Sequence, residues 1–174
     1  MGVWIKTILA GVMIMAASTM SEQQAAPVRV TNSFQFVVKA PMERAAPLFG
    51  PEGERCWAGK HWDPKFIYPQ PAHDEQGAVF TVQHGPHTSV WVNTIFDLKG
   101  GRMQYVALIS DALVSVIDVR LTPVDKTTHV EVTYSRTALT PDANEDVKAM
   151  GAQDSNSGPE WEASIAACLH GSVH

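Results

Sequence analysis

The stretch "PLFGPEGERCWAGKHWDPKFIYPQP", residues 47–71, decides how this chain is read. Five Pro, three Gly, two Trp and one Cys fall within it, so no regular hydrophobic period survives. Pro fixes φ and removes a backbone donor, Gly permits tight turns, and Trp brings a large rigid surface. The expectation is short helical turns packed by bulky side chains. "PEGERCWAG" (51–59) reads as one such helix, opened by Pro51 and closed by Gly59. Just upstream, "PMERAAPLF" (41–49) reads as another, with Pro41 at N1 and Pro47 limiting its length.

The flanks differ sharply from this segment. "VTNSFQFVVKA" alternates and is β-rich, a first strand near residues 30–40, preceded by a polar linker "SEQQAAPVR". From residue 78 the period is two. "AVFTVQHG", "TSVWVNTIFDLKG", "RMQYVALIS", "LVSVIDVRLTPV" and "THVEVTYSRTAL" are successive strand-like runs, separated by "GPH", "KGGR", "SDA" and "VDKT". Connections that short make an antiparallel meander. In the last run, Val130, Val132 and Tyr134 share one face, and His129, Glu131, Thr133 and Ser135 share the other. The first set is expected to be covered and the second exposed.

The C-terminal segment supplies the cover. "TPDANEDVKAM" starts a helix with Thr140 as N-cap and acidic residues early, and "GAQDSNSG" interrupts or loosens it. "PEWEASIAACLHG" resumes it, with Trp161, Ile165, Cys168 and Leu169 on one face and Gly171 as the stop.

Length and composition agree with a single domain. The chain has 174 residues, 45% hydrophobic and 18% charged, enough for one core. A net charge of −5 without a basic block argues against nucleic acid and against an anionic membrane surface. The start, "MGVWIKTILAGVMIMAAS", has one Lys, an apolar run from Ile8, and small residues at Ala16, Ala17 and Ser18. That order is a secretory signal peptide over residues 1–20, with the mature chain starting near Thr19. The apolar run falls short of the roughly 20 residues that span a bilayer. The expected product is periplasmic or extracellular, without a membrane partner after cleavage. In an oxidising compartment the two cysteines, Cys56 and Cys168, suit either a bridge or two buried thiols.

One strand, two short helices, five strands and one long helix resemble the START-like superfamily, also called SRPBCC or the helix-grip fold. The run "FGPEGERCWAGKHWDP" is similar to the Phe-x-x-Glu-Gly-Glu-Arg-x-Trp and Trp-x-Pro pattern of a group of uncharacterised bacterial SRPBCC proteins. "YSRTAL" and "EWEASIAACL" resemble that group's last strand and helix end. The likeness spans residues 30–171. It implies an α+β domain whose six-stranded antiparallel sheet wraps a long C-terminal helix, with two short helices between strands 1 and 2. It also brings Cys56 and Cys168 into one neighbourhood, where a disulfide is expected. Trp57 and Trp62 become fillers of the junction between the short helices and the long one, Pro64 and Pro69 stiffen the return to the sheet, and Glu52, Glu54 and Arg55 cap or pair locally.

The resemblance implies a small apolar or amphipathic ligand held between sheet and helix. The expected lining is Tyr134, Tyr105, Phe80, Trp57 and Trp62, with Arg136 either at the cavity mouth or snorkelling to its rim. The superfamily also hosts enzymes of the polyketide cyclase or dehydratase kind, which need an acid or base in that cavity; Tyr134, Arg136 and Tyr105 are the polar groups available. A third reading is an interaction protein whose cavity is filled by its own aromatics. No cofactor motif stands out: there is no Gly-x-Ser-x-Gly elbow, and "KGG" at 99–101 is a hairpin turn, not a phosphate loop. His84 and His87 flank a Gly-Pro turn and read as solvated rather than metal-binding, since a metal needs three or four converging ligands. His129, His170 and His174, and the pair Asp118 and Arg120, read as surface.

Overall fold

The computed structural model describes residues 25–171; the expected leader, its expected cleavage point and His174 lie outside the described residues. The elements run β1 (Arg29–Val38), α1 (Met42–Ala45), 3₁₀ turns at Ala46–Phe49 and Gly53–Cys56, then β2 (Lys65–Tyr68) and β3 (Val79–His84). There follow β4 (His87–Asp97), β5 (Arg102–Ile109), β6 (Leu113–Val124), β7 (Thr127–Ala138), α2 (Asn144–Asp154) and α3 (Gly158–Leu169). One antiparallel sheet has the order β1-β7-β6-β5-β4-β3-β2. The first strand lies beside the last, so the Pro- and Gly-rich segment carries the chain from one sheet edge to the other.

The sheet has seven strands, not six. The extra one is β2, "KFIY", a four-residue edge strand that pairs only with β3 and is mostly exposed. Pro64 and Pro69 bracket it, so its sequence carries neither the length nor the alternation of a buried strand. The short helices are also tighter than expected. Pro41 occupies the N-cap rather than N1, and Pro47 converts the helix to 3₁₀ after Ala45. In the second turn, Gly53 is required by space: a Cβ there would collide with the Pro47 carbonyl oxygen.

The long C-terminal helix is two helices, α2 and α3, separated at residues 155–157. Asn156 and Ser157 turn their side chains back onto the carbonyls of Ala152 and Gln153, which competes with continued helix. Gly158 then lets α3 approach the β1 backbone, with the Gln35 carbonyl oxygen 3.0 Å from where a Cβ would stand.

The core forms between the concave face and α3. Phe34, Phe36 and Val38 of β1 meet Val130 and Val132 of β7, Val119 and Leu121 of β6, and Ile165 of α3, with Phe49 and Trp57 closing one end. Full burial of each such side chain stabilises by about 1.5–3 kcal/mol. Trp161, Cys168 and Leu169 pack against the same cluster, along the stripe read from sequence. Cys56 and Cys168 are joined by a disulfide, with Cα atoms 5.7 Å apart. It ties the Gly53–Cys56 turn to the last turn of α3.

On the opposite face His129, Glu131 and Thr133 are half-buried rather than exposed. The alternation is as expected, but β7 is flanked by β1 and β6 on both sides, and cross-strand neighbours cover these residues. Thr31 and Ser33 of β1 hydrogen-bond Ser135 and Thr133 at 3.0 and 2.8 Å. Asp118 is likewise shielded, held by Arg102 and Arg120 at 3.0 and 2.9 Å.

Candidate functional site

The concave side is lined by aromatic rings but not filled by them. Under the Gly53–Cys56 turn and the start of α3 lies a cavity of about 300 Å³. Its walls include Trp57 and Trp62 from the linking segment, Trp91 of β4, Tyr105 of β5, Tyr134 of β7 and Trp161 of α3. A second cavity, about 470 Å³, shares Trp62, Trp91, Ile117 and Tyr134 with the first and extends to Ser115, Arg136 and Met150. The two adjoin at those shared side chains, as two lobes of the concave side.

The rings pair in two groups. Trp161 lies 4.9 Å from Trp57 and 6.5 Å from Tyr134, centroid to centroid. Trp91 lies 5.3 Å from Trp62 and 6.5 Å from Tyr105. Most of their polar ends are already bonded to the protein. Trp57 Nε1 donates to the Leu48 carbonyl at 2.6 Å, Trp62 Nε1 to that of Pro51 at 2.9 Å, and Trp91 Nε1 to Ser89 Oγ at 2.7 Å. The Tyr105 hydroxyl donates to the Phe49 carbonyl. These bonds lock the rings, so that their faces are what the chamber offers.

Not every polar group in the first lobe has such a partner. Among the described residues nothing hydrogen-bonds the Glu54 carboxyl or the Tyr134 hydroxyl. Glu54 neither caps nor pairs locally, unlike Arg55, which bridges Glu52 and Asp63 at 3.0 and 2.9 Å. Its backbone belongs to the short turn, which aims the side chain inward. The carboxyl keeps some contact with water through the chamber, yet burial pushes its pKa well above the ordinary carboxylate range, with the charge of Asp74 adding to the rise. Asp74 itself accepts from the amides of Glu52 and Gly53 at 2.9 and 3.4 Å, and burial raises it too. Burial likewise pushes the Tyr134 phenol above its usual range.

The second lobe treats its charge in the opposite way. Arg136 neither stands free at a mouth nor snorkels to the rim. Its guanidinium makes a two-pronged pair with Asp154 at 2.7 and 2.8 Å, donates to Ser115 Oγ at 3.0 Å, and lies 4.4 Å above the centre of the Tyr134 ring. Asp154 comes from the end of α2, the place where the C-terminal helix breaks.

Of the residues expected at the site, Tyr134, Tyr105, Trp57 and Trp62 line the first lobe, and Arg136 lines the second. Phe80 lines neither lobe: it is fully buried behind them, stacked on Phe66 and Trp91. Sequence reasoning missed Glu54, Trp91 and Trp161 as lining residues. Trp161 had a signal, since it stands on the apolar stripe of α3. Trp91 had none, because its strand is apolar on both faces. His84 and His87 are exposed at the outer edge of the second lobe, and burial lowers the pKa of His84. Among the described residues no cluster of three or more His, Cys, Asp or Glu side chains is placed to hold a metal.

Known structures with this arrangement share little sequence with the chain. Norcoclaurine synthase from Thalictrum flavum superposes with a TM-score of 0.61 at 11% identity, over 84% of this chain and 96% of that one. An uncharacterised protein from Rhizobium leguminosarum gives 0.57 at 15% identity, over 80% and 96%. Ara h 8.0201 gives 0.54 at 11% identity, over 82% and 99%. The chain shares their fold, an antiparallel sheet wrapped on a C-terminal helix. No family model matches the sequence, and no curated protein matches it by sequence. Among its helix-grip features, the wrapped antiparallel sheet and the C-terminal cover are what create the chamber.

Proposed function

We propose that the protein binds a small hydrophobic or amphipathic molecule in the chamber between the sheet and α3. The observation that carries this reading is the set of aromatic faces that border open volume while four of the six rings have their polar ends already hydrogen-bonded. Such walls reward an apolar occupant and have little to offer a strongly hydrated one. An environment-sensitive apolar dye is expected to bind at micromolar levels, with Tyr134→Ala weakening it several-fold. Extraction of protein purified from its native host, followed by mass spectrometry, names the ligand. Absence of dye binding to the folded protein removes the proposal.

A catalytic reading has one observation in its favour. An enclosed carboxyl whose pKa is raised by burial, in the same lobe as the Tyr134 hydroxyl, suits the acid that a cyclase or dehydratase of the polyketide kind requires. Norcoclaurine synthase, a structural neighbour, has been seen in complex with dopamine and hydroxybenzaldehyde, so this fold is able to host a synthase. Incubating the extracted molecule with pure protein separates the readings. A product of altered structure favours catalysis, and an unchanged molecule favours binding alone.

We further propose export, with cleavage near Thr19. The support is the order of charged, apolar and small residues at the start of the chain. Loss of Lys6 takes the net charge from −5 to −6. The mass of the protein isolated from its host checks the cleavage, and an intact Met1 in membrane fractions excludes it.

A further inference from the structure

We propose that the Glu54 lobe is a site for an organic cation, taking the alkylammonium or quaternary ammonium head of an amphipathic ligand between its two aromatic groups. This rests on the chamber being a binding site and names the chemistry of one end of the ligand.

The lining of the lobe is one-sided in charge. Its ionisable side chains are Glu54, Glu160, Tyr105 and Tyr134, and no Lys, Arg or His is among them. Glu160, exposed on the first turn of α3, stands at the entrance, where a carboxylate draws cations in. Six rings surround the space, four of them Trp, and the negative face of an aromatic ring attracts a cation within about 6 Å of its centre. The rings within each group are 4.9–6.5 Å apart, and both groups border the lobe, so that a cation entering it meets aromatic faces on more than one side. The molecule already uses this interaction in the second lobe, where the Arg136 guanidinium lies over Tyr134.

Glu54 decides between ligand classes. An anion here meets Glu54, Glu160 and the negative ring faces together. A neutral apolar group suits the walls but leaves the carboxyl enclosed with no partner, which is costly. A cation satisfies both the carboxyl and the rings. In the empty chamber Glu54 holds its proton well above the ordinary range; a positive charge beside it reverses that shift, so binding expels the proton. The groups facing Glu54 are Asp74 behind its turn, Tyr105 on β5, Tyr134 on β7 and Glu160 on α3, with Arg136 beyond Tyr134 and neutralised by Asp154. None of them supplies a positive charge that makes the ligand's superfluous.

The test compares hexyltrimethylammonium with its carbon isostere, 2,2-dimethyloctane, on the intact disulfide-bonded protein, with the apolar dye as control. The cation is expected to bind about tenfold or more tightly than the isostere, which is a difference of about 1.4 kcal/mol. Glu54→Gln should bring the ratio of the two probe affinities close to one, and near-ultraviolet circular dichroism with a cooperative unfolding transition shows that the variant is folded. Titration calorimetry at pH 6 in two buffers of different ionisation enthalpy should find protons released with the cation and none with the isostere. Equal affinity for the two probes, or an equal loss of both in Glu54→Gln, overturns the cation site and leaves the chamber reading standing. Failure of the dye and both probes overturns both.

Discussion

The two lobes of the chamber each contain a buried charge-bearing group, and they handle it in opposite ways. In the second lobe, Arg136 and Asp154, with side chains 16% and 9% exposed, saturate each other in a two-pronged pair, and Ser115 takes a further donor. In the first, Glu54 has no partner among the described residues, and its surroundings raise its pKa rather than stabilise its charge. The lobes also differ in what holds them together. The Arg136–Asp154 pair fastens α2 to β7, whereas the disulfide fastens the Glu54 turn to α3. A buried pair in which both carboxylate oxygens and all three guanidinium nitrogens are bonded is explained by architecture. A carboxyl with no bonded partner is not, and its position in an open aromatic lobe is what the proposed cation site rests on.

The largest effect should come from cutting the covalent fastening. The disulfide joins residues 112 apart, and for a loop of about 100 residues chain entropy puts its contribution near 4.7 kcal/mol. Cys56→Ala with Cys168→Ala should lower the stability measured by denaturant unfolding by several kcal/mol. It should weaken cation binding more than dye binding, because the Glu54 turn is released while the Arg136 end keeps its pair. An equal loss at both lobes dissolves the distinction between them.

Next comes Asp154→Ala, which strands the Arg136 guanidinium in a half-buried site. Removing one member of a buried pair costs about 3 kcal/mol or more. Denaturant unfolding reads the loss, and Arg136→Met with Asp154→Leu should recover much of it, since the pair is needed for its mutual satisfaction rather than for its charge. If Asp154→Ala proves harmless, the pair is not structural and the second lobe deserves the functional reading.

The smallest effect is the most diagnostic. Glu54 has a folded-state pKa above its unfolded value of about 4.3, so across the interval between them the folded protein binds more protons than the unfolded chain. Stability therefore declines as pH rises through that interval, and Asp74 contributes in the same direction. Glu54→Gln removes Glu54's part of the decline. The variant should have a higher Tm than the parent at neutral pH and an equal one near pH 4. A variant less stable at neutral pH would show that Glu54 is ionised and paired in the empty protein, and the contrast between the lobes would vanish.

Much of the architecture was legible because periodicity is a local property. The alternation in "THVEVTYSRTAL" placed Val130, Val132 and Tyr134 on one face without any knowledge of the neighbours, and the stripe Trp161, Ile165, Cys168, Leu169 marked the face of the covering helix. The strand β2 escaped for the same reason: four residues between prolines are too few to display a period. Cavity-lining residues were legible where a motif or a clean parity located them, as with Trp57, Trp62 and Tyr134. Trp91 escaped because its strand is apolar on both faces, so that nothing local says which face holds the chamber.

The sequence by itself determined the element order, the meander, the packing stripe of the last helix and the aromatic density of residues 47–71. These follow from steric preference and hydrophobic alternation, which act between residues a few positions apart. Only the tertiary structure decided which charges are satisfied. Glu52, Glu54 and Arg55 are neighbours in sequence, yet Arg55 takes Glu52 and Asp63 on the surface while Glu54 turns inward beside Tyr105 and Tyr134. Arg136 likewise met Asp154 only because the C-terminal helix breaks where it does. Charge compensation depends on what comes within a few ångströms through space, and residues 18, 51 or 80 positions apart are brought to that distance only by the folded chain.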